Sequence, residues 1–365
     1  MLHFHSLRVV DKRPETARAV ALTFDVPEPL RPSFRFIAGQ HIALRANVDG
    51  EELRRTYSIC SSPADPELRI CIRLIPGGRF SRFVADRLEI GAALDVLMPN
   101  GSFHAPPYSG RSRHCVAFAA GIGITPVLSV VRDLLESEAD SRVTLFYGSR
   151  DAESVLFAEE LLALKDRYVT RCALHFLLTA ESQEIDLYNG RLTPAKLDLL
   201  IPGLFDARTV DHYFISGPGT MIGDLTGALT AKGVDSARIH SEHFLVSEAR
   251  PAVAAGAAQA AVALRAVEAS AEATRVAVTI DGRTRSFEMP RDGTSVLDAA
   301  TEAGLDLPFS CRAGVCSTCR TRVIKGKVGM HSNYALEQSE LDEGYILACQ
   351  AHPLTEELEL TYDSR

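Results

Sequence analysis

The sequence predicts three folded bodies in series: an antiparallel β-barrel, a doubly wound α/β domain and a small C-terminal α+β domain. Three observations predict them. Up to Pro106-Pro107 the apolar residues come in short alternating runs broken by Pro and Gly, the pattern of barrel strands that bury one face. From Cys115 onward apolar strands alternate with helical patterns, which implies parallel strands joined by crossover helices. Between residues 251 and 274 twelve of twenty-four residues are alanine, and after that shift a new strand pattern begins. These changes of texture set expected boundaries at 1–107 and 108–248, a linker at 249–274, and a last body at 275–365. The alanines also suit a short helix, so the tether is expected to be semi-rigid rather than floppy.

A chain of 365 residues has the length for two or three domains, each with its own core. Its net charge of -8 argues against nucleic-acid binding as a main activity. No apolar run approaches the length of a membrane span. The start, Met1-Leu2-His3-Phe4-His5-Ser6, has neither the basic region nor the apolar stretch of a signal peptide, so a cytoplasmic location without a membrane partner is expected. Four of the eight cysteines, Cys60, Cys71, Cys115 and Cys172, are scattered through apolar segments and read as reduced, buried small side chains.

In the barrel, Val20-Ala21-Leu22-Thr23-Phe24 and Arg69-Ile70-Cys71-Ile72-Arg73 read as strands. Two stretches carry chemistry. Arg55-Thr56-Tyr57-Ser58 offers a cation for a phosphate, an aromatic plane and a hydroxyl, which are the groups a flavin nucleotide needs. Gly77-Gly78-Arg79-Phe80-Ser81-Arg82 opens a helix expected to run to Arg87, and the N–H groups at its start would face the same pyrophosphate. An exposed basic strand and an ordinary turn are the plainer readings of these fragments.

In the next body strands are expected at 115–119, 143–147, 174–178 and 212–215. Gly121-Ile122-Gly123-Ile124-Thr125-Pro126 follows the first of them; the glycines let a dinucleotide approach the backbone, and Pro126 suits the first turn of a helix. Ser216-Gly217-Pro218-Gly219 forms a second glycine corner at the carboxyl edge of the same sheet. Ser149 and Arg150 end another strand, where a hydroxyl and a guanidinium would meet an adenosine 2′-phosphate; a solvated loop is the alternative.

After the alanine-rich stretch, Val276-Ala277-Val278-Thr279-Ile280, a turn at Asp281-Gly282 and residues 284–288 read as a hairpin. A helix from Ser295, a short helix over 336–341 and a strand over 358–362 complete a β-grasp pattern. Within it Cys311, Cys316, Cys319 and Cys349 follow the order C-x4-C-x2-C with a distant fourth, the plant-type spacing for a 2Fe-2S cluster. Two irons need four converging thiolates, and the small residues Ala313, Gly314, Ser317 and Thr318 let the loop curl around them and aim N–H groups at sulfur. Zinc sites more often draw two short pairs from separate knuckles.

Taken together, Arg55 to Ser58, the loop at 77–81, Gly121 to Pro126, Ser216 to Met221 and the four cysteines resemble the ferredoxin-NADP reductase family fused to a C-terminal plant-type ferredoxin. The resemblance covers nearly the whole chain. It implies that NADPH gives a hydride to FAD and that the 2Fe-2S cluster then carries single electrons to a separate acceptor. Arg55, Thr56, Tyr57, Ser58, Gly78, Arg79, Phe80 and Ser81 would hold FAD. Gly121, Gly123, Thr125, Pro126, Ser149, Arg150, Gly217 and Pro218 would hold the nicotinamide nucleotide, with Ser58 and Ser216 flanking the reacting rings. The family often has Cys where this chain has Ser216. The implied acceptor is a diiron oxygenase acting on an aromatic acyl-CoA, although sister reductases that serve steroid hydroxylases or the hybrid-cluster protein share the domain order. A carrier or redox sensor without catalysis of its own is the competing class. Charges of both signs around the cluster loop, Arg312 among them, suggest a docking face.

Overall fold

The computed structural model describes residues 3–244 and 273–364. Residues 4–244 form one compact unit, and 273–364 belong to a second. The linker reading therefore lies outside the described residues, apart from Ala273 and Thr274, which already belong to a strand.

The first unit begins with six antiparallel strands: β1 (Phe4–Thr16), β2 (Ala19–Asp25), β3 (His41–Val48), β4 (Glu51–Ser58), β5 (Leu68–Arg73) and β6 (Ala93–Leu97). They pair in the order β4-β3-β6-β1-β2-β5, and a bridge from Ile59, just past β4, to Ile70 in β5 joins the two ends of the sheet. Leu7, Leu22, Ile42, Leu44, Ile59 and Ile70 fill the interior, while helix α1 (Arg79–Asp86) inserts Phe80 and Val84. β1 runs through Pro14, which reads as a strand breaker. Register shifts between Val9 and Asp11 and between Pro14 and Thr16 accommodate it, as bulges do for a residue that cannot donate to a ladder.

A parallel sheet follows, built from β7 (His114–Ala120), β8 (Arg142–Ser149), β9 (Cys172–Leu178), β10 (His212–Gly217) and β11 (Ile239–His243) in the order β11-β10-β7-β8-β9. Helices α2 (Ile124–Ser137), α3 (Ala158–Arg167), α4 (Pro194–Leu204) and α5 (Gly219–Ala231) connect these strands. The chain leaves β7 in one direction and returns in the other at β10, so the crevice between those strands is the topological switch point where ligands of such sheets bind. Ala19, Ala38, Cys60, Cys71 and Phe103 of the barrel share one apolar core with Val127, Val130, Val131 and Leu134 of α2. The four scattered cysteines are buried and free, and burial pushes the Cys172 thiol up to about 11.

The second unit has β12 (Ala273–Ile280), β13 (Arg283–Pro290), α6 (Val296–Glu302), β14 (Arg320–Lys325), β15 (Val328–Met330), α7 (Gln338–Asp342), β16 (Tyr345–Leu347), β17 (Ala351–Pro353) and β18 (Glu357–Thr361). Its sheet order is β13-β12-β18-β14-β16, with β15 and β17 as a separate ribbon. Asp281 and Gly282 both take positive φ, 53° and 69°, as a two-residue hairpin turn requires. The Ser295 hydroxyl accepts from the Asp298 N–H and starts α6 one residue before its first helical position. No helix among the described residues is long and apolar enough to cross a membrane.

Candidate active site

On the flavin side, Arg55 and Tyr57 fall on one face of β4 by its period of two. Arg55 also donates to the Arg54 carbonyl at 2.8 Å, and desolvation raises the Tyr57 hydroxyl pKa against the opposing charge of Arg55. The expected helix at the glycine loop is present with Gly78 as its N-cap and no side chain capping it, and the start of such a helix suits an anion. The side chains of that loop are otherwise engaged. Ser81 Oγ accepts from the Ile75 N–H at 3.2 Å and lies 3.4 Å from the Gly78 carbonyl, so it shapes the turn. Phe80 is 2% exposed and packs on Tyr57 with ring centroids 6.0 Å apart. Arg79 pairs with Glu51 and donates to the Val48 carbonyl at 3.0 Å. Thr56 pairs opposite Ala43 in the β3–β4 ladder.

On the nucleotide side the two glycine corners pack against each other. A Cβ on Gly123 would sit 2.3 Å from the Ser216 carbonyl oxygen, so only glycine permits the loop after β7 to close on the end of β10. Gly217 is nearly as crowded, with Met221 Cε 2.8 Å and Ala120 Cβ 3.1 Å from the place a Cβ would take. Gly121 takes φ 53° at the bend, Pro218 caps α5, and Pro126 lies buried in the first turn of α2. The Thr125 hydroxyl donates to the Ile122 carbonyl at 2.9 Å, which fixes the loop rather than offering itself to a ligand. Ser149 is turned inward and shares a 2.9 Å hydrogen bond with the Ser154 hydroxyl. Arg150 projects outward, 56% exposed, with Asp151 as a distant partner at 3.8 Å.

Where the barrel meets this sheet stands a group that the sequence patterns do not single out. Ser58 Oγ donates to Glu242 Oε1 at 2.9 Å, across 184 residues of chain. In the β10–β11 ladder Glu242 is directly opposite Ser216. Glu242 Oε2 and Ser216 Oγ are both buried without a hydrogen-bond partner among the described residues. Desolvation holds the Glu242 carboxyl protonated far above the usual range, up to about 8, with the Ser58 hydrogen bond opposing. Two orphaned polar atoms at the carboxyl edge of the switch point are unmet demands that a polar ring edge would satisfy. The sequence carried no pattern for it: only the pairing of β11 with β10 puts Glu242 near the edge where ligands bind. Phe244, half-buried, follows it two residues later.

In the second unit, Cys316, Cys319 and Cys349 are buried and Cys311 is half-buried. The thiols interact as pairs, Cys311 with Cys316, Cys319 with Cys349, and Cys311 with Cys349 across the two. No three Cys, His, Asp or Glu side chains among the described residues converge on one point as a single ion needs. Two thiolates for each of two irons is the arrangement such pairs fit. Donors are already in place: the Ala313 N–H reaches Cys311 Sγ at 3.4 Å and Gln350 Nε2 reaches Cys349 Sγ at 3.6 Å. Arg312 and Ser317 take positive φ, 55° and 45°, where the loop turns. Three of the cations around this loop are ion-paired. Arg312 pairs with Asp298 at 2.7 Å over the Phe309 ring, Arg320 pairs with Glu340, and Lys325 pairs with Glu357.

Comparison with known proteins agrees with each body. Residues 6–105 match the oxidoreductase FAD-binding domain, 118–226 the oxidoreductase NAD-binding domain, and 278–354 the 2Fe-2S iron-sulfur cluster binding domain. The chain is 40% identical to a subunit of the 1,2-phenylacetyl-CoA epoxidase of Escherichia coli K12, over 100% of this chain and 99% of that protein. It is 34% identical to the ferredoxin reductase component of 3-ketosteroid-9-alpha-monooxygenase from Rhodococcus rhodochrous, over 95% and 94% of the two chains. Among solved structures, phthalate dioxygenase reductase shares the fold with a TM-score of 0.56 and 23% identity, covering 98% of both chains.

Proposed function

The chain belongs to the family of FAD- and NAD-binding oxygenase reductases that carry a C-terminal 2Fe-2S ferredoxin domain, and from that premise we propose that it oxidises NADPH and reduces a diiron oxygenase acting on an aromatic acyl-CoA such as phenylacetyl-CoA. It is an oxidoreductase, the reductase component of an oxygenase system. The observation that carries the reading is the meeting of Ser58, Ser216 and Glu242 where the flavin-type barrel faces the nucleotide-type sheet, in a chain that also holds four paired thiols.

NADPH supplies electrons as a hydride pair and a 2Fe-2S centre takes them singly, so the chemistry supplied by bound FAD is to accept two and release one at a time. The protein's own residues prepare that exchange. Gly123 and Gly217 bring the ends of β7 and β10 close enough for backbone N–H groups to meet a pyrophosphate, and Arg150 offers its exposed guanidinium to the 2′-phosphate. Ser58 and Ser216 flank the place where the two rings meet. Glu242, protonated at neutral pH, holds a proton at its carboxyl and keeps negative charge away from an incoming hydride. The proposed bounds are 1–107 for the barrel, 108–248 for the sheet and 275–365 for the iron-sulfur body, the last extended by β12 to Ala273, with a linker before it.

Anaerobic titration of the purified chain with NADPH, followed by visible absorbance, tests the reading. Uptake of about three electrons per chain is expected, two at flavin and one at the cluster. An endpoint of two defeats the cluster assignment, and no bleaching by NADPH defeats the hydride site. Reduction of a diiron epoxidase from phenylacetyl-CoA metabolism, set beside reduction of a steroid hydroxylase, decides the acceptor.

A further inference from the structure

Helix α2 starts at the glycine loop assigned to the nucleotide, and the turn after β4 starts at the strand assigned to the flavin. The structure ties these two segments together at one place. Ser129 Oγ, fully buried, donates to the carbonyl of Ser61 at 2.7 Å, three residues beyond Ser58. Ser62 Oγ, also fully buried, donates to Glu136 at 2.7 Å. Arg132 grips both oxygens of Asp65 at 2.6 and 2.8 Å, reaches Glu136 at 3.2 Å and Glu160 of α3 at 3.3 Å, and is 16% exposed. Arg69 of β5 closes the ring by holding Glu160 at 2.9 and 2.7 Å. The turn itself is stiffened, since Asp65 Oδ2 accepts the Ser62 N–H at 2.9 Å and Ser61 Oγ accepts the Arg69 N–H at 3.1 Å.

A bidentate, partly buried arginine hub holds geometry as well as charge, because its planar fork fixes the direction of each partner. Beneath it the apolar contacts between α2 and the barrel are non-directional and tolerate sliding. The polar ring therefore supplies the register that the apolar contacts lack. We propose that Arg132, with Ser129, is a positioning residue for hydride transfer: by locking α2 to the turn after β4, it sets the approach of the nicotinamide to the flavin. The proposal rests on the functional reading above.

The test is stopped-flow flavin reduction by NADPH in the holoprotein, comparing wild type with Arg132→Met. The limiting rate per bound flavin is expected to fall roughly tenfold to a hundredfold, as small misplacements of reacting atoms do, with the dissociation constant for NADPH little changed. The long-wavelength charge-transfer absorbance between nicotinamide and flavin should weaken in parallel, and amide hydrogen exchange should quicken over residues 61–65. A merely structural role would lower the unfolding midpoint and leave the limiting rate per flavin and the charge-transfer band alone; that result overturns the proposal. The double variant Asp65→Arg with Arg132→Asp should recover part of the lost rate. Should Arg132→Met shed its flavin, Ser129→Ala carries the same comparison, with a drop of about threefold expected and an unchanged rate overturning the idea. A wild type that takes no hydride from NADPH defeats the functional reading instead.

Discussion

At the proposed iron-sulfur site three of the four thiols come from nine consecutive residues, Cys311 to Cys319, whereas at the proposed hydride site Ser58 and Glu242 lie 184 residues apart and share a hydrogen bond. The first is a local site. Three of its thiols, its small residues and the Ala313 N–H come from one loop with positive φ at Arg312, Gly314 and Ser317. The second is assembled by tertiary register, and it depends on the β10–β11 pairing that puts Glu242 opposite Ser216 and on the barrel surface that presents Ser58. Damage should accordingly stay confined at the first site and spread at the second.

The largest effect should come from Cys316→Ser, which removes a buried thiol proposed as a cluster ligand. Iron content and the cluster's visible absorbance should be lost, and reduction of the oxygenase should fall to background. Flavin reduction by NADPH should stay within about twofold of wild type, because each unit has an apolar core of its own. Iron and sulfide analysis beside stopped-flow flavin reduction measures both. If flavin binding disappears with the cluster, the two sites form one cooperative whole and the contrast between them collapses.

Glu242→Gln probes the assembled site and should cost hydride transfer roughly tenfold to a hundredfold, since the amide's donors would meet the ring edge in a different geometry from the carboxyl proton and small misplacements of reacting groups carry that cost. The sign of its pH behaviour is fixed. The carboxyl binds its proton more tightly in the folded chain, up to about 8, than at its ordinary value of 4.5, so the folded state holds more protons than the unfolded one between those limits. Stability from this group is complete below about 4.5 and is lost as the pH rises through about 8. Thermal unfolding of wild type should decline across that window, and the decline should flatten in Glu242→Gln. Parallel curves for the two proteins would show that Glu242 does not titrate there.

Sequence patterns reveal these regions unequally for the same physical reason. Cysteine spacing, the strand–glycine–helix order at Gly121 to Pro126 and the Asp281-Gly282 turn are local patterns; the structure has the strand, the glycine bend and the helix in that order and the hairpin turn at Asp281-Gly282. β11 escaped because Ile239-His240-Ser241-Glu242-His243 shows no clean apolar alternation; as an edge strand it gains its form from pairing with β10. β1 escaped in part because Pro14 looks like an end and is a bulge. Side-chain engagement was equally invisible. Nothing in Gly78-Arg79-Phe80-Ser81 reveals that Phe80 turns into the core, that Arg79 pairs with Glu51, or that Ser81 braces its own turn.

The smallest effect sharpens the contrast at the rim of the nucleotide site. Ser149 and Arg150 are adjacent in sequence, yet one is sealed against Ser154 and the other stands exposed beside Asp151. Any discrimination for a 2′-phosphate therefore falls to Arg150. An exposed guanidinium loses much of its pull to solvent, so the preference it confers should be modest. Arg150→Ala should raise the KM for NADPH about threefold, the equivalent of roughly 0.7 kcal/mol, while the values for NADH stay unchanged. Asp151 adds a second lever, since its carboxylate repels a 2′-phosphate while its side chain accepts the Ser154 N–H at 2.9 Å to cap the turn. Asp151→Asn keeps an acceptor for that cap and removes the charge, so it should shift kcat/KM toward NADPH by a smaller factor in the opposite direction. If both substitutions leave the ratio of kcat/KM for the two nucleotides where it was, neither residue reads the 2′ position, and the specificity of this site lies elsewhere in the crevice between β7 and β10.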